Sequence, residues 1–451
     1  MLKRLLQSLF VVSLACIALP AQALPRYTLD AGSRCSNCHV NPQGGGLRSN
    51  SGWYMMNTVT AGMVTWDKLG LKSVHEAESN TFFDGKLTLG GDLRIQEARL
   101  GRPTIDDAGV TSVPDRMWVP MQMTPAAEVK VSKTVQVTAS VNLAGIYYQS
   151  VMGSSIYPGQ SNFDGWIRWT PERTVPAAAA AEPAPVAEAS GKVSDDDFDA
   201  PAVEEPKVEP PVGLPSVRVG MIQPSFGIRH DDHTLLIHGS AANLRQPVLP
   251  AFYNDLGMEV NWEGIHWLSV DAGAFWPRNF SDARFGSAPT GTALRNRDDA
   301  ASSPMGSARV TVWPRIDSVG INFWAGASSM FTQNFNIEGG HFGIGKTYWG
   351  SIFAEVTHSR DDILALTRNA WLVQADYPIK PWLALEARYE ASQATTDASA
   401  SAAAKTTDVQ AVVGSVQWMP LPMIELRPEY RYIDTSLYRM AQYTLQVHLY
   451  Y

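Results

Sequence analysis

The sequence predicts an all-β fold: an antiparallel transmembrane barrel of about sixteen strands behind a small N-terminal domain. Three observations carry this. Strand-length segments alternate apolar and polar residues with period two, tight and long connections alternate between them, and the chain closes on an aromatic-rich strand.

Residues 1–23 read as an export signal. Lys3 and Arg4 precede an apolar run from Leu5 to Leu19, and Ala21-Gln22-Ala23 is an A-x-A cleavage site. A lipoprotein signal ending at Cys16 is the competing reading, with Ser13 in place of the usual leucine. No other apolar run is long enough for a helix to span a bilayer, which excludes an α-helical membrane protein. A net charge of -8 argues against a general nucleic-acid binder.

Residues 24–80 form the predicted N-terminal domain. Its stretch CSNCH, Cys35 to His39, holds the only cysteines left after cleavage. C-x-x-C-H is the attachment signature of c-type haem: two thiols add across the porphyrin vinyl groups, and the adjoining histidine is placed to bind iron. A redox C-x-x-C is expected beside a βαβ pattern, which the sequence lacks, and a zinc site needs a second pair of ligands. One haem c per chain is therefore expected, on Cys35 and Cys38 with His39 as proximal ligand. Met55, Met56, Met63 and His75 are the nearby candidates for a distal ligand, one at most. A ligand from the barrel wall or an open position are the alternatives. Pro42 to Gly46 (PQGGG) lets the backbone pass close to the haem edge.

Residues 81–451 carry the strands, predicted to begin near Lys86, Met117, Thr134, Asn162, Leu214, Asn254, His266, Gly306, Asp317, Gly340, Gly350, Thr367, Pro381, Thr406, Pro422 and Ala441. Ile424 to Tyr432 (IELRPEYRY) sets Ile424, Leu426, Pro428, Tyr430 and Tyr432 against Glu425, Arg427, Glu429 and Arg431. An apolar outer face with a charged inner one fits a barrel with a wet lumen. Tight turns are predicted at Ser132–Thr134, Glu263-Gly264, Pro314–Asp317, Tyr348–Gly350, Pro378–Pro381 and Met419–Pro422. Long polar connections fall between them, notably Pro224 to Tyr253 and Pro277 to Met305. With the C-terminus in the periplasm, every tight turn lies on the periplasmic side.

One periplasmic connection breaks the rule. Residues 174–213 are Ala/Pro/Glu-rich, acidic and predicted to be disordered. The insertion is either a tolerated surface segment or an attractor for a positively charged electron carrier. His230-Asp231-Asp232-His233, in the first long outward connection, is a solvated polar turn or a transition-metal cluster. The final strand, Tyr443 to Tyr451, places Tyr443, Leu445, Val447, Leu449 and Tyr451 on one face and ends on an aromatic, as the last strand of outer-membrane barrels does.

An export signal, one C-x-x-C-H, a short linker and about sixteen outer-membrane strands resemble the fused monohaem cytochrome–porin proteins of iron-oxidising bacteria. Only Cys35, Cys38 and His39 carry over as residues. The resemblance implies an electron conduit in the bacterial outer membrane, its haem domain in the lumen or at the periplasmic mouth. The partners it implies are outer-membrane lipid, an extracellular donor or acceptor such as Fe(II), and a periplasmic carrier such as a soluble c-type cytochrome. Such a chain is an oxidoreductase acting on extracellular metal ions or otherwise an electron-transfer protein. The alternatives are a solute porin with a structural or sensory haem domain, and a barrel partner of a separate multihaem cytochrome.

Overall fold

A computed structural model of the chain describes residues 27–29, 32–58, 62–64, 66–69, 79–100, 104–105, 116–144, 162–171, 213–229, 235, 237, 253–285, 298–316, 318–346, 349–396, 405–436 and 438–450. The export signal, His75, His230–His233 and all but the last residue of the acidic insertion lie outside these. Three helices matter below: α1 (Cys35–Cys38), α2 (Asn50–Thr58) and α3 (Arg278–Phe285).

Nineteen strands form one sheet, of which three are two-residue pieces. The other sixteen are β1 (Leu87–Leu100), β2 (Met117–Lys130), β3 (Val135–Val141), β4 (Phe163–Trp169), β5 (Ser216–Ile222), β6 (Asp255–Ile265), β7 (Leu268–Trp276), β8 (Met305–Val312), β9 (Ile321–Phe331), β10 (Phe335–Lys346), β11 (Gly350–Asp361), β12 (Leu366–Lys380), β13 (Leu383–Thr396), β14 (Lys405–Leu421), β15 (Ile424–Thr435) and β16 (Tyr438–Tyr450). Each pairs antiparallel with the next. β16 then pairs with β1, from Gln442 opposite Leu100 to Tyr450 opposite Asp92, and the barrel closes.

The period-two pattern decides which way each side chain points. On β11, Ser351, Phe353, Glu355, Thr357, Ser359 and Asp361 are buried, while Ile352 and Val356 between them are 52% and 55% exposed. β15 repeats this, with Glu425, Arg427 and Arg431 buried and Tyr430 and Tyr432 outward. Trp118, Trp169, Trp276, Trp349, Tyr377 and Tyr443 add exposed aromatics to the outer face. An outer face of this composition is stable against lipid, and closure leaves no unpaired strand edge there. The chain is a closed, sixteen-stranded antiparallel barrel of the outer-membrane type.

Several boundaries differ from expectation. β9 begins at Ile321 rather than near Asp317, and β10 at Phe335 rather than near Gly340. β10 starts early because Thr332 N–H bonds the Phe335 carbonyl at 2.7 Å, which reverses the chain within three residues. Glu263-Gly264 stays within β6 at an irregularity in the ladder, and the reversal falls at His266-Trp267. The connections at 332–334, 362–365 and 436–437 are tight although they lie on the side assigned long loops.

The inside of the barrel is not lined by polar residues alone. Phe226, Tyr253, Phe275, Phe280, Met305, Met330, Phe335 and Ile337 form a buried cluster inside the long-loop end. Tyr253 and Phe280 stack at 5.7 Å between centroids, and Phe280 and Phe335 at 4.8 Å. The physical reason is that the described part of the 224–253 connection turns inward. Its backbone N–H groups bond inner-wall side chains: Ser225 to Glu259 Oε2 at 2.9 Å, Gly227 to Ser328 Oγ at 2.9 Å and Ile228 to Glu355 Oε1 at 3.2 Å. The inner wall also carries buried ion pairs, such as Arg388 with Glu390 at 2.8 Å and Arg427 with Glu386 at 2.5 Å.

Candidate cofactor site

Cys35 and Cys38 stand three residues apart on the single turn of α1, so both thiols emerge on one side. They are free, with no disulfide between them. His39 follows in extended conformation, its N–H bonding the Cys35 carbonyl at 3.0 Å, and it bridges to Arg48 as a short antiparallel pair. The reversal between them passes through Gly44, Gly45 and Gly46 at φ of 90°, 71° and 62°. Three successive left-handed residues explain the glycine run, because a side chain there is strained. The turn brings the Gly45 and Gly46 backbone beside the His39 ring.

α2 closes over α1. A Cβ on Gly52 would collide with the Cys38 carbonyl, and the Ser49 N–H bonds that carbonyl at 3.0 Å. Trp53 is 3% exposed and packs with Met419, Met423, Leu449 and Tyr450 of the wall. Met55 Sδ lies 3.6 Å from Cys38 Sγ.

Side chains of the inner wall hold this segment at many points. Arg34 donates to the Ile265 carbonyl at 2.6 Å, and Ser36 Oγ to Glu263 Oε2 at 2.9 Å. Arg218 Nη1 donates to Asn41 Oδ1 at 2.8 Å, and Gln43 Nε2 to Glu259 Oε1 at 3.0 Å. Asn322 Nδ2 donates to the Leu29 carbonyl at 2.5 Å, and Met63 N–H to the Met419 carbonyl at 2.9 Å. Gln43 also meets Ser225, so the N-terminal segment and the inward connection touch.

Burial dominates the electrostatics. It pushes the Cys35 thiol up to about 11, against the pull of Arg309, and raises Cys38 as well. Burial also holds His39 well below the usual imidazole range, helped by the Arg48 and Arg229 charges. A neutral imidazole is the form that donates a lone pair to a metal. His39 Nδ1 is buried with no hydrogen-bond partner. Two thiols outside any disulfide, on one helical turn beside a neutral, buried histidine, are the donor types that covalent haem attachment uses. The cavity against Cys35 measures about 30 Å³, with Thr28, Arg229, Arg309, Trp324 and His341 also on its lining. That is room for one water-sized molecule, so the space as it stands does not hold a macrocycle.

Of the predicted distal candidates, the structure brings Met55 to the cysteines. Met63 is 44% exposed, the Met56 side chain lies outside the described residues, and so does His75. Among the described residues, no three His, Cys, Asp or Glu side chains gather as a metal site. His341, which lines the cavity beside Cys35, is not among the residues the sequence singles out. The one available signal is the run of small residues around it, Gly339-Gly340-His341-Phe342-Gly343, with Gly326 directly opposite on β9.

No protein-family model matches the chain, and no curated protein does. Solved structures do resemble it. The loop-deleted outer-membrane protein OmpT of Vibrio cholerae is 11% identical, with 81% of this chain and 99% of that one covered at a TM-score of 0.46. OprB of Pseudomonas putida is 10% identical, with 86% and 97% covered at 0.47. The outer membrane channel DcaP of Acinetobacter baumannii is 10% identical, with 81% and 97% covered at 0.42. The barrel assignment itself rests on the strand pairing above.

Proposed function

We propose that this chain carries one haem c on Cys35 and Cys38, with His39 on the iron, in the lumen of an outer-membrane barrel. In this reading it moves electrons between an extracellular donor or acceptor, Fe(II) among the candidates, and a periplasmic carrier such as a soluble c-type cytochrome. The observation that carries it is the anchoring of the C-x-x-C-H segment: free thiols and a neutral buried histidine are tied to the inner wall from Leu29 to Met63. A covalent haem supplies a one-electron couple. The chain's own residues do the rest. Arg34, Ser36, Asn41 and Gln43 fix the segment's position, the cluster around Phe280 keeps water from the long-loop end, and the barrel wall insulates. The acidic insertion (residues 174–213) would favour a positively charged periplasmic partner.

Proteoliposomes test this. Vesicles holding an encapsulated redox dye receive a membrane-impermeant reductant outside. The wild-type chain should bleach the dye, and the Cys35→Ala/Cys38→Ala chain should not. Equal bleaching by both chains would remove the electron-conduit reading.

A solute porin with a structural haem domain is the second reading, favoured by the charged inner wall around Glu386, Arg388, Glu390 and Arg427. Liposome swelling separates the two: a porin passes small solutes with the N-terminal segment in place, whereas a conduit stays closed to them.

A further inference from the structure

The cavity beside Cys35 is walled by three parts of the chain: Cys35 and Gln43 of the N-terminal segment, Arg229 of the inward connection, and Arg309, Trp324 and His341 of the barrel wall. Its volume of about 30 Å³ takes one water-sized species. Two of those residues are guanidinium cations, and among the described residues no carboxylate is on the lining. Asp271 meets Arg309 through Nη1 at 3.9 Å and accepts from Asn261 at 2.7 Å. Three nitrogens of the wall residues are buried without a hydrogen-bond partner among the described residues: Arg309 Nε, Trp324 Nε1 and His341 Nδ1. The residues that carry them are 7%, 3% and 5% exposed. Arg309 Nε and Trp324 Nε1 can only donate. His341 Nε2 lies 3.1 Å from Thr311 Oγ1, and a hydroxyl that donates there leaves the ring proton, and so a third donor, on Nδ1. Each of the three has given up its bonds to water, so a partner is called for.

We infer that this cavity binds one small monovalent anion of halide size, held by the N–H groups of Arg309, Trp324 and His341 with the Arg229 charge beside it. Two guanidinium groups and no carboxylate on the lining select against a cation. A water molecule accepts two hydrogen bonds at most and leaves one of the three donors unmet, whereas a halide accepts all three. Bound there, the anion touches segment, connection and wall at once, so it favours the state in which the N-terminal segment is docked. The ion lies where a group joined to Cys35 would begin. The site therefore belongs to the chain before attachment, and it does not rest on the haem reading.

Chloride is the probe, and gluconate, too large for the cavity, is the control. In the full-length, cofactor-free Cys38→Ser chain in lipid vesicles, chloride should replace gluconate at fixed pH and fixed ionic strength, so that general screening stays constant. Cys35 alkylation should then slow along a saturable curve, by about tenfold once chloride exceeds its half-saturating concentration about ten times. Trp324→Phe keeps a ring and removes the N–H, and should raise the half-saturating concentration by about tenfold or more. Arg309→Met should remove the chloride effect. Crystals of the cofactor-free wild-type chain grown in bromide should show an anomalous peak in this cavity. Equal alkylation rates in chloride and gluconate overturn the proposal, and so does a chloride effect that survives unchanged in both variants. Where a variant fails to fold, the wild-type crystals still decide: a bromide peak in the cavity supports the anion site, and a cavity without that signal overturns it.

Discussion

Arg218, on β5 of the wall, donates through Nη1 to Asn41 Oδ1 at 2.8 Å, which ties the residue two places after His39 to a strand 177 positions later. The same guanidinium donates to Glu259 Oε1 at 2.6 Å through Nη2 and at 3.1 Å through Nε, and both side chains are fully buried. Glu259 in turn accepts from Gln43 Nε2 and from the Ser225 backbone N–H. One ion pair therefore organises the N-terminal segment, the inward connection and the wall. Removing a single member strands a buried charge, at about 3–5 kcal/mol. Arg218→Met should speed proteolytic cleavage of residues 32–58 in folded barrels while the barrel keeps its heat-modifiable migration on gels. An unchanged digestion pattern would show that the pair does not hold the segment.

Trp53 is the apolar counterpart of that anchor. Its ring fills the contact with Met419, Met423, Leu449 and Tyr450, near the turn between β14 and β15. Trp53→Ala should cost about 3–5 kcal/mol of docking, from lost transfer energy plus the cavity left behind. Hydrogen exchange should accelerate over residues 50–58 and stay slow in β14 and β15. Uniform acceleration across the barrel would instead mean that the segment and barrel unfold as one unit.

At the seam of the barrel, His448 on β16 sits between Asp92 Oδ1 of β1, at 3.1 Å, and Glu425 Oε2 of β15, at 3.2 Å. All three side chains are buried, and this is where the last strand meets the first. His448→Ala leaves two buried carboxylates without the group between them, and should lower barrel stability by about 3–5 kcal/mol. Urea unfolding in lipid vesicles, followed by tryptophan fluorescence, would show it. A midpoint equal to the wild type would mean the seam tolerates the loss of the imidazole.

The strands were legible because period two is imposed by the pleat alone. Alternations such as Glu425, Arg427 and Arg431 against Tyr430 and Tyr432 carry through to the inner and outer faces unchanged. CSNCH stands out in the sequence because its spacing is local, and the fold keeps its thiols out of a disulfide and its histidine buried. What the sequence hid depends on distant partners. The polar stretch Pro224 to Arg229 looks like a solvated outer loop until Glu259, Ser328 and Glu355 are seen to satisfy its backbone from three strands. His341, on the wall of the cavity beside Cys35, lies about three hundred positions from it, and nothing in the period of the strand marks that neighbourhood. The glycine run after His39 leaves space beside the ring, and its positive φ values are the stronger reason for it.

The last prediction concerns Cys35 before any group is attached. Burial is the largest influence on its thiol, Arg309 opposes it, and the balance lifts the thiol from 9.0 to about 11. A thiol raised in the folded chain stays protonated where the unfolded chain has already ionised. Its contribution to stability is thus fully present below pH 9 and is lost as pH rises toward about 11. The thiolate is the nucleophile, and two units of pKa correspond to about a hundredfold less of it. In cofactor-free Cys38→Ser chain, Cys35 alkylation at pH 9 should therefore run about fiftyfold slower when folded than in urea, the gap closing as pH approaches 11. Equal rates at pH 9 would mean that the thiol faces open water, and that the segment bearing it does not rest against the inner wall.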